Sequence, residues 1–138
     1  MNPIYTTSAT VSGGRDGRAS TPDGRLDIKL DMPKELGGSD GPGTDPEQLF
    51  AAGYAACFES AVRACARGGD VMFSDLSITA EVSLLTDGAG KFGLAVALTG
   101  SSDDLAEEQL AALMREAHDV CPYSHATRGN ITVTLAPA

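Results

Sequence analysis

The segment from Asp45-Pro46 to Gly68-Gly69 constrains the fold most. Asp45 is a favourable N-cap, Pro46 suits a first helical turn, and the paired glycines end a helix, so one long helix is predicted from Pro46 to about Arg67. Up to Ala66 its residues are mostly Ala, Leu, Phe, Gly and Cys with few charges. A helix so poor in charge has no broad face to offer water. It is expected at the centre of the fold, buried on most sides and closely approached by its neighbours.

The flanking segments read as strands and one more helix. Alternating apolar and β-favouring residues predict strands near Tyr5–Val11 and Leu26–Met32, with a short one around Arg18–Ser20 after the Gly13-Gly14-Arg15-Asp16-Gly17 stretch. Pro33 to Asp45 carries four glycines and two prolines and is a loop long enough to suggest a role over a pocket. Leu76, Ile78, Ala80, Val82 and Leu84 alternate cleanly, as do Phe92, Leu94, Val96 and Leu98, with Asp87-Gly88-Ala89-Gly90 as the hairpin turn. Ser101 and Asp104 suggest a capping box for a second helix, whose face carries Leu110, Leu113, Met114, Ala117 and Cys121 before Pro122 stops it. Asn130–Leu135 is a last strand. The order β-β-β-α-β-β-α-β is α+β, and 138 residues suit a single domain.

Charge and cysteine usage exclude several classes. Ten Lys and Arg against 19 Asp and Glu give a net charge of -9, which opposes a nucleic-acid backbone or an anionic membrane surface. The start lacks a basic n-region and an apolar h-region, and no run reaches about 18 apolar residues, so a soluble cytoplasmic protein is expected. Three cysteines do not form the even framework of a secreted scaffold. Cys57 and Cys121 are therefore read as a redox pair. His118, Cys121 and His125 resemble a metal-ligand spacing, but Pro122 breaks the register and no fourth ligand is evident, so no metal is expected.

A thiol reacts as its thiolate, and burial in an Ala-rich helix would disfavour that anion. Cys57 lies eleven positions after Pro46, too far for the helix dipole, so a cation is required. Arg63 and Arg67 point roughly 120° and 80° around the helix from Cys57. Arg15, on a glycine-rich loop, is the better partner. Glu47 is the natural orienter of such an arginine, yet it lies roughly 15 Å along the helix from Cys57. Three arrangements close that gap: a bent first turn, Arg15 as a bridge, or a meeting across a dimer interface. The third is favoured as a hypothesis, and a monomer with full activity would overturn it. Peroxide attack would convert the Cys57 thiolate to a sulfenic acid that Cys121 can trap if packing brings its helix end close. Cys65, about 12 Å along the axis, is outside disulfide reach and reads as core.

The segments Thr44-Asp45-Pro46-Glu47-Gln48-Leu49-Phe50-Ala51-Ala52-Gly53-Tyr54-Ala55-Ala56-Cys57-Phe58 and Cys121-Pro122-Tyr123-Ser124-His125-Ala126-Thr127-Arg128-Gly129-Asn130 resemble the organic hydroperoxide resistance branch of the OsmC/Ohr superfamily. With Gly13-Gly14-Arg15-Asp16-Gly17 and Pro33-Lys34-Glu35-Leu36-Gly37-Gly38 in matching order, the likeness covers essentially the whole chain. The resemblance implies an intertwined α+β homodimer that reduces organic hydroperoxides, fatty-acid hydroperoxides among them, and also peroxynitrite. It implies dihydrolipoamide or a lipoylated protein as reductant, with no bound cofactor. By position, Cys57 would be the peroxidatic thiol, Cys121 the resolving thiol, Arg15 the thiolate partner and Glu47 the residue that holds Arg15. Asp45 departs from the family's usual Asn, and its extra charge could compete with Glu47 for Arg15. The competing class is a cysteine-based redox sensor or a lipid-binding module without turnover. Met32, Leu36, Phe50 and Met114 are candidates for an apolar pocket or for ordinary core.

Overall fold

A computed structural model describes residues Met1–Ala138. The chain divides into two compact units, Met1–Leu49 and Phe50–Ala138. The first is a small antiparallel sheet of β1 (Thr10–Ser12), β2 (Arg18–Ser20) and β3 (Asp27–Lys29) in that order, followed by a long loop with a single 3-10 turn at Lys34–Leu36. The β1 strand is shorter than the alternation from Tyr5 to Val11 predicts. Its partner β2 offers only three residues, Ser20 to Arg18, so nothing pairs with Tyr5–Ala9, and Tyr5 stays exposed. The strand predicted over Leu26–Met32 is likewise cut to Asp27–Lys29. Beyond it Leu30 bridges to Thr44, and the Met32 N–H donates to the Asp16 carboxylate at 3.0 Å.

Helix α1 spans Pro46–Gly68, one residue beyond the predicted end. The Asp45 carboxylate caps it by accepting the Gln48 N–H at 2.8 Å. Tyr54, Phe58, Ala61, Val62 and Ala66 form its buried face. The opposite face, Ala52, Ala56, Ser60 and Ala64, is exposed in the single chain, so the helix is covered on fewer sides than its composition predicts.

In the second unit β4 (Ser77–Thr86) and β5 (Phe92–Ser101) form the predicted hairpin, with Val82 opposite Val96. Strand β6 (Thr132–Pro137) lies parallel to β5, a pairing that needs a crossover, and helices α2 (Glu107–Val120) and α3 (Pro122–Thr127) supply it. Leu110, Leu113, Met114 and Ala117 of α2 pack with the buried face of α1 and with Val96 and Leu98 of β5.

Two expectations are corrected here. Ser101 does not cap α2, because β5 runs through it; Ser102 instead organises the following turn, accepting the Asp104 and Leu105 N–H groups. The Asp104 carboxylate accepts from the Ser74 and Asp75 N–H groups at 2.7 Å each, anchoring the start of β4 rather than closing a capping box. Pro122 stops α2 as predicted, but it also occupies the first turn of α3, giving the order β-β-β-α-β-β-α-α-β.

Candidate active site

Arg15 lies in a 3-10 turn, Gly14–Asp16, that closes the β1–β2 connection. Gly17 makes this turn possible, since a Cβ there would fall 1.7 Å from the Ser12 carbonyl oxygen. From this turn the guanidinium donates two bonds to Glu47, Nη1 to Oε2 at 2.8 Å and Nη2 to Oε1 at 2.7 Å. The paired fork fixes both side chains. Glu47 occupies the first turn of α1, where the positive end of the helix dipole also favours a carboxylate. The Arg15 bond holds the Glu47 carboxyl below its usual range, and the same bond raises Arg15. Asp45 contributes to Arg15 only as the weakest of its influences, so Glu47 remains the dominant partner. The pair forms within one chain.

Cys57, on α1, and Cys121, at the elbow between α2 and α3, are both free thiols with Sγ atoms 3.6 Å apart. A disulfide needs about 2.05 Å, so the sulfurs are unbonded but about 1.5 Å of approach from joining. Cys121 is fully buried and Cys57 is partly exposed, which makes Cys57 the thiol that a solute meets first. Cys65 is packed at the edge of the core, and burial followed by the charges of Glu116 and Asp119 raises its thiol.

Burial raises the Cys57 thiol, and the Cys121 thiol pushes in the same direction. One influence opposes them: the backbone N–H of Tyr123, in the first turn of α3. The Tyr123 ring rests on α1 at Gly53, where a Cβ would stand 3.0 Å from its hydroxyl oxygen. It also lies 6.3 Å from the Phe50 ring and 5.7 Å from that of Tyr54, centroid to centroid. This main-chain donor and helix α3 went unforeseen. Pro directly after Cys121 was the available signal, because Pro starts helices as readily as it ends them.

The other sequence candidates occupy ordinary positions. Arg63 pairs with Glu59 and covers the Phe73 ring at 5.2 Å. His118 Nδ1 lies 2.8 Å from Ser124 Oγ. Met114 is core, Leu36 is exposed, and Phe50 packs edge-on to Tyr54.

Residues 37–136 match the OsmC family, described as OsmC-like protein. An organic hydroperoxide resistance protein of Xanthomonas axonopodis pv. citri is 48% identical over 98% of this chain and 95% of its own length. The chain belongs to the OsmC/Ohr superfamily, on its organic hydroperoxide resistance branch. The OhrA protein of Bacillus subtilis is 43% identical over 99% of this chain and 97% of its own. Among solved structures, an organic hydroperoxide resistance protein OsmC from Legionella pneumophila superposes with a TM-score of 0.93 at 49% identity, covering 99% of both chains. The α+β fold is thus shared across the family. No helix of this chain is long and apolar enough to cross a membrane.

Proposed function

We propose that this chain is a thiol-dependent peroxidase that reduces alkyl and fatty-acid hydroperoxides to alcohols. The observation that carries the reading is the unbonded Cys57–Cys121 pair at 3.6 Å, one thiol reachable and the other buried, in a chain whose relatives are named for organic hydroperoxide resistance. The Cys57 thiolate attacks the terminal peroxide oxygen; the O–O bond breaks, the alkoxide leaves and is protonated to the alcohol, and Cys57 becomes a sulfenic acid. The Cys121 thiol then attacks that sulfur, forming the disulfide as water departs.

The environment of Cys57 favours the protonated thiol, so a positive group is required to sustain the anion. The Tyr123 N–H contributes, and the larger part is proposed to come from Arg15, with Glu47 as its holder. Dihydrolipoamide, free or on a lipoylated protein, is the proposed reductant. Its two thiols open the disulfide and leave as the cyclic disulfide, so one hydroperoxide and one dihydrolipoamide yield an alcohol, water and lipoamide. No bound cofactor takes part. Peroxynitrite is a second proposed oxidant for the same thiol.

The homodimer is also a proposal. It draws on the exposed small-residue face of α1, which permits close helix approach. A cytoplasmic location is in keeping with three free thiols. The net charge of -9 argues against nucleic-acid and membrane partners.

Steady-state consumption of tert-butyl hydroperoxide with dihydrolipoamide tests the reading. Turnover by the wild type, its loss in Cys57→Ser and impaired recycling in Cys121→Ser are the expected results. A folded, reduced wild type that consumes no more than one equivalent would instead be a sensor or a lipid-binding module.

A further inference from the structure

A run of buried hydroxyls crosses from α1 to the α2–α3 elbow, and none of the steps above uses it. Tyr54, one turn before Cys57 and fully buried, places Oη 3.0 Å from Ser124 Oγ and 3.1 Å from Thr127 Oγ1. Ser124 Oγ in turn lies 2.8 Å from His118 Nδ1, and Thr127 donates to the Tyr123 carbonyl at 3.0 Å. The protons then have one consistent direction. With the Thr127 proton on that carbonyl, Tyr54 donates to Thr127, Ser124 donates to Tyr54, and His118 donates from Nδ1 to Ser124. No buried side-chain N or O atom is left without a partner.

His118 stands three residues before Cys121 and Ser124 three residues after it, so the chain of bonds brackets the buried thiol on both sides. Stability alone does not account for it. An apolar residue at each position would also fill the core, whereas apolar contact is non-directional and hydrogen bonds fix orientation. Orientation is what the Cys121 sulfur needs. Once Cys57 is a sulfenic acid, it is either captured by Cys121 or oxidised by a second peroxide to the sulfinic acid, which does not return.

We propose that the His118–Ser124–Tyr54–Thr127 chain positions Cys121 for capture of the Cys57 sulfenic acid, so that these four are positioning residues for disulfide formation. This rests on the peroxidase reading. Misplacing a reacting group by about 1 Å can cost about a hundredfold in rate.

The test is single turnover of the full-length reduced protein with one equivalent of tert-butyl hydroperoxide, in wild type, Tyr54→Phe, Ser124→Ala and His118→Gln. Stopped flow reads the loss of the Cys57 thiol, and dimedone trapping with mass spectrometry divides the product between sulfenic acid and disulfide. Val96→Ala, in the sheet core, shows what loss of stability does by itself. The expected result is thiol oxidation within about twofold of wild type, but disulfide formation slowed by about tenfold or more in the three chain variants and unchanged in Val96→Ala. Disulfide formation at the wild-type rate in all three chain variants overturns the inference, as does an equal slowing in Val96→Ala. A wild type that forms neither sulfenic acid nor disulfide overturns the peroxidase reading and this inference with it, which separates the two failures.

Discussion

In residues 1–49 only Ala19, Leu30 and Asp31 are buried, whereas residues 50–138 bury Tyr54, Phe58, Val62, Leu98, Met114 and Ala117 among others. The first unit is held by directed polar ties: Arg15 to Glu47, the Met32 N–H to Asp16, and the Gly43 N–H to Asp31 at 2.6 Å. The second is held by apolar packing between helices and sheet. The contrast matches what each unit presents. A guanidinium must stay charged and partly solvated, while the thiol proposed to resolve the sulfenic acid, Cys121, is enclosed. Damage to the first unit is thus expected to appear as lost activity, and damage to the second as lost stability.

Phe58→Ala should give the largest change. Its side chain is fully buried in the core of the second unit, and its loss should cost about 3–5 kcal/mol in urea unfolding. A cost below about 1 kcal/mol would break the contrast. Gly17→Ala comes next. The Ser12 carbonyl blocks its Cβ, so the Arg15 turn must be rebuilt, at about 1–3 kcal/mol and with a greater loss of peroxide turnover than of melting temperature. Turnover and stability falling in proportion would erase the distinction between the units.

Glu47→Gln should be milder, about 1 kcal/mol, because the pair it breaks is only partly buried. Arg15 depresses the Glu47 carboxyl, so the stabilisation is complete above the unfolded pKa near ~4.3 and is lost as pH falls through the lower folded value. Acid titration of stability should therefore be shallower in Glu47→Gln than in wild type. The smallest effect is expected from His118. Burial, then the charge of Arg128, lowers its pKa, with Asp119 opposing. The fold thus prefers the neutral ring, and stability declines as pH drops below about 6.5 toward the folded value. Urea midpoints from about pH 5 to 8 should show a smaller decline in His118→Gln, and an identical pH profile would refute this assignment.

Long periodic segments were legible in the sequence because their pattern is local. The α1 boundaries follow from Asp45-Pro46 and Gly68-Gly69, the β4–β5 hairpin from alternation on either side of Asp87–Gly90, and the inner face of α2 from Leu110, Leu113, Met114 and Ala117. The strands predicted at Tyr5–Val11 and Leu26–Met32 run beyond the observed β1 and β3 because alternation shows where a strand can form, not how many partner residues exist to pair with it, whereas β2 keeps its predicted span Arg18–Ser20. Helix α3 was missed because Pro122 was read only as a terminator.

By itself the sequence determined the α+β class and its element order apart from α3, the two long motifs with Glu47, Cys57 and Cys121, and Arg15 in the Gly13–Gly17 stretch. Spacing along a chain carries no information on which side chains meet across it, since Arg15 and Glu47 are 32 positions apart and Cys57 and Cys121 are 64. Only the tertiary structure decided that the first two form a forked ion pair within one chain and that the second two bring their sulfurs to 3.6 Å. It also brought the Tyr123 N–H to Cys57 and joined Tyr54, Ser124 and His118 in one chain of hydrogen bonds. The contacts of Cys57 and of Tyr54 come from the packing of α1 against the α2–α3 elbow, and no local pattern encodes the angle at which two helices meet.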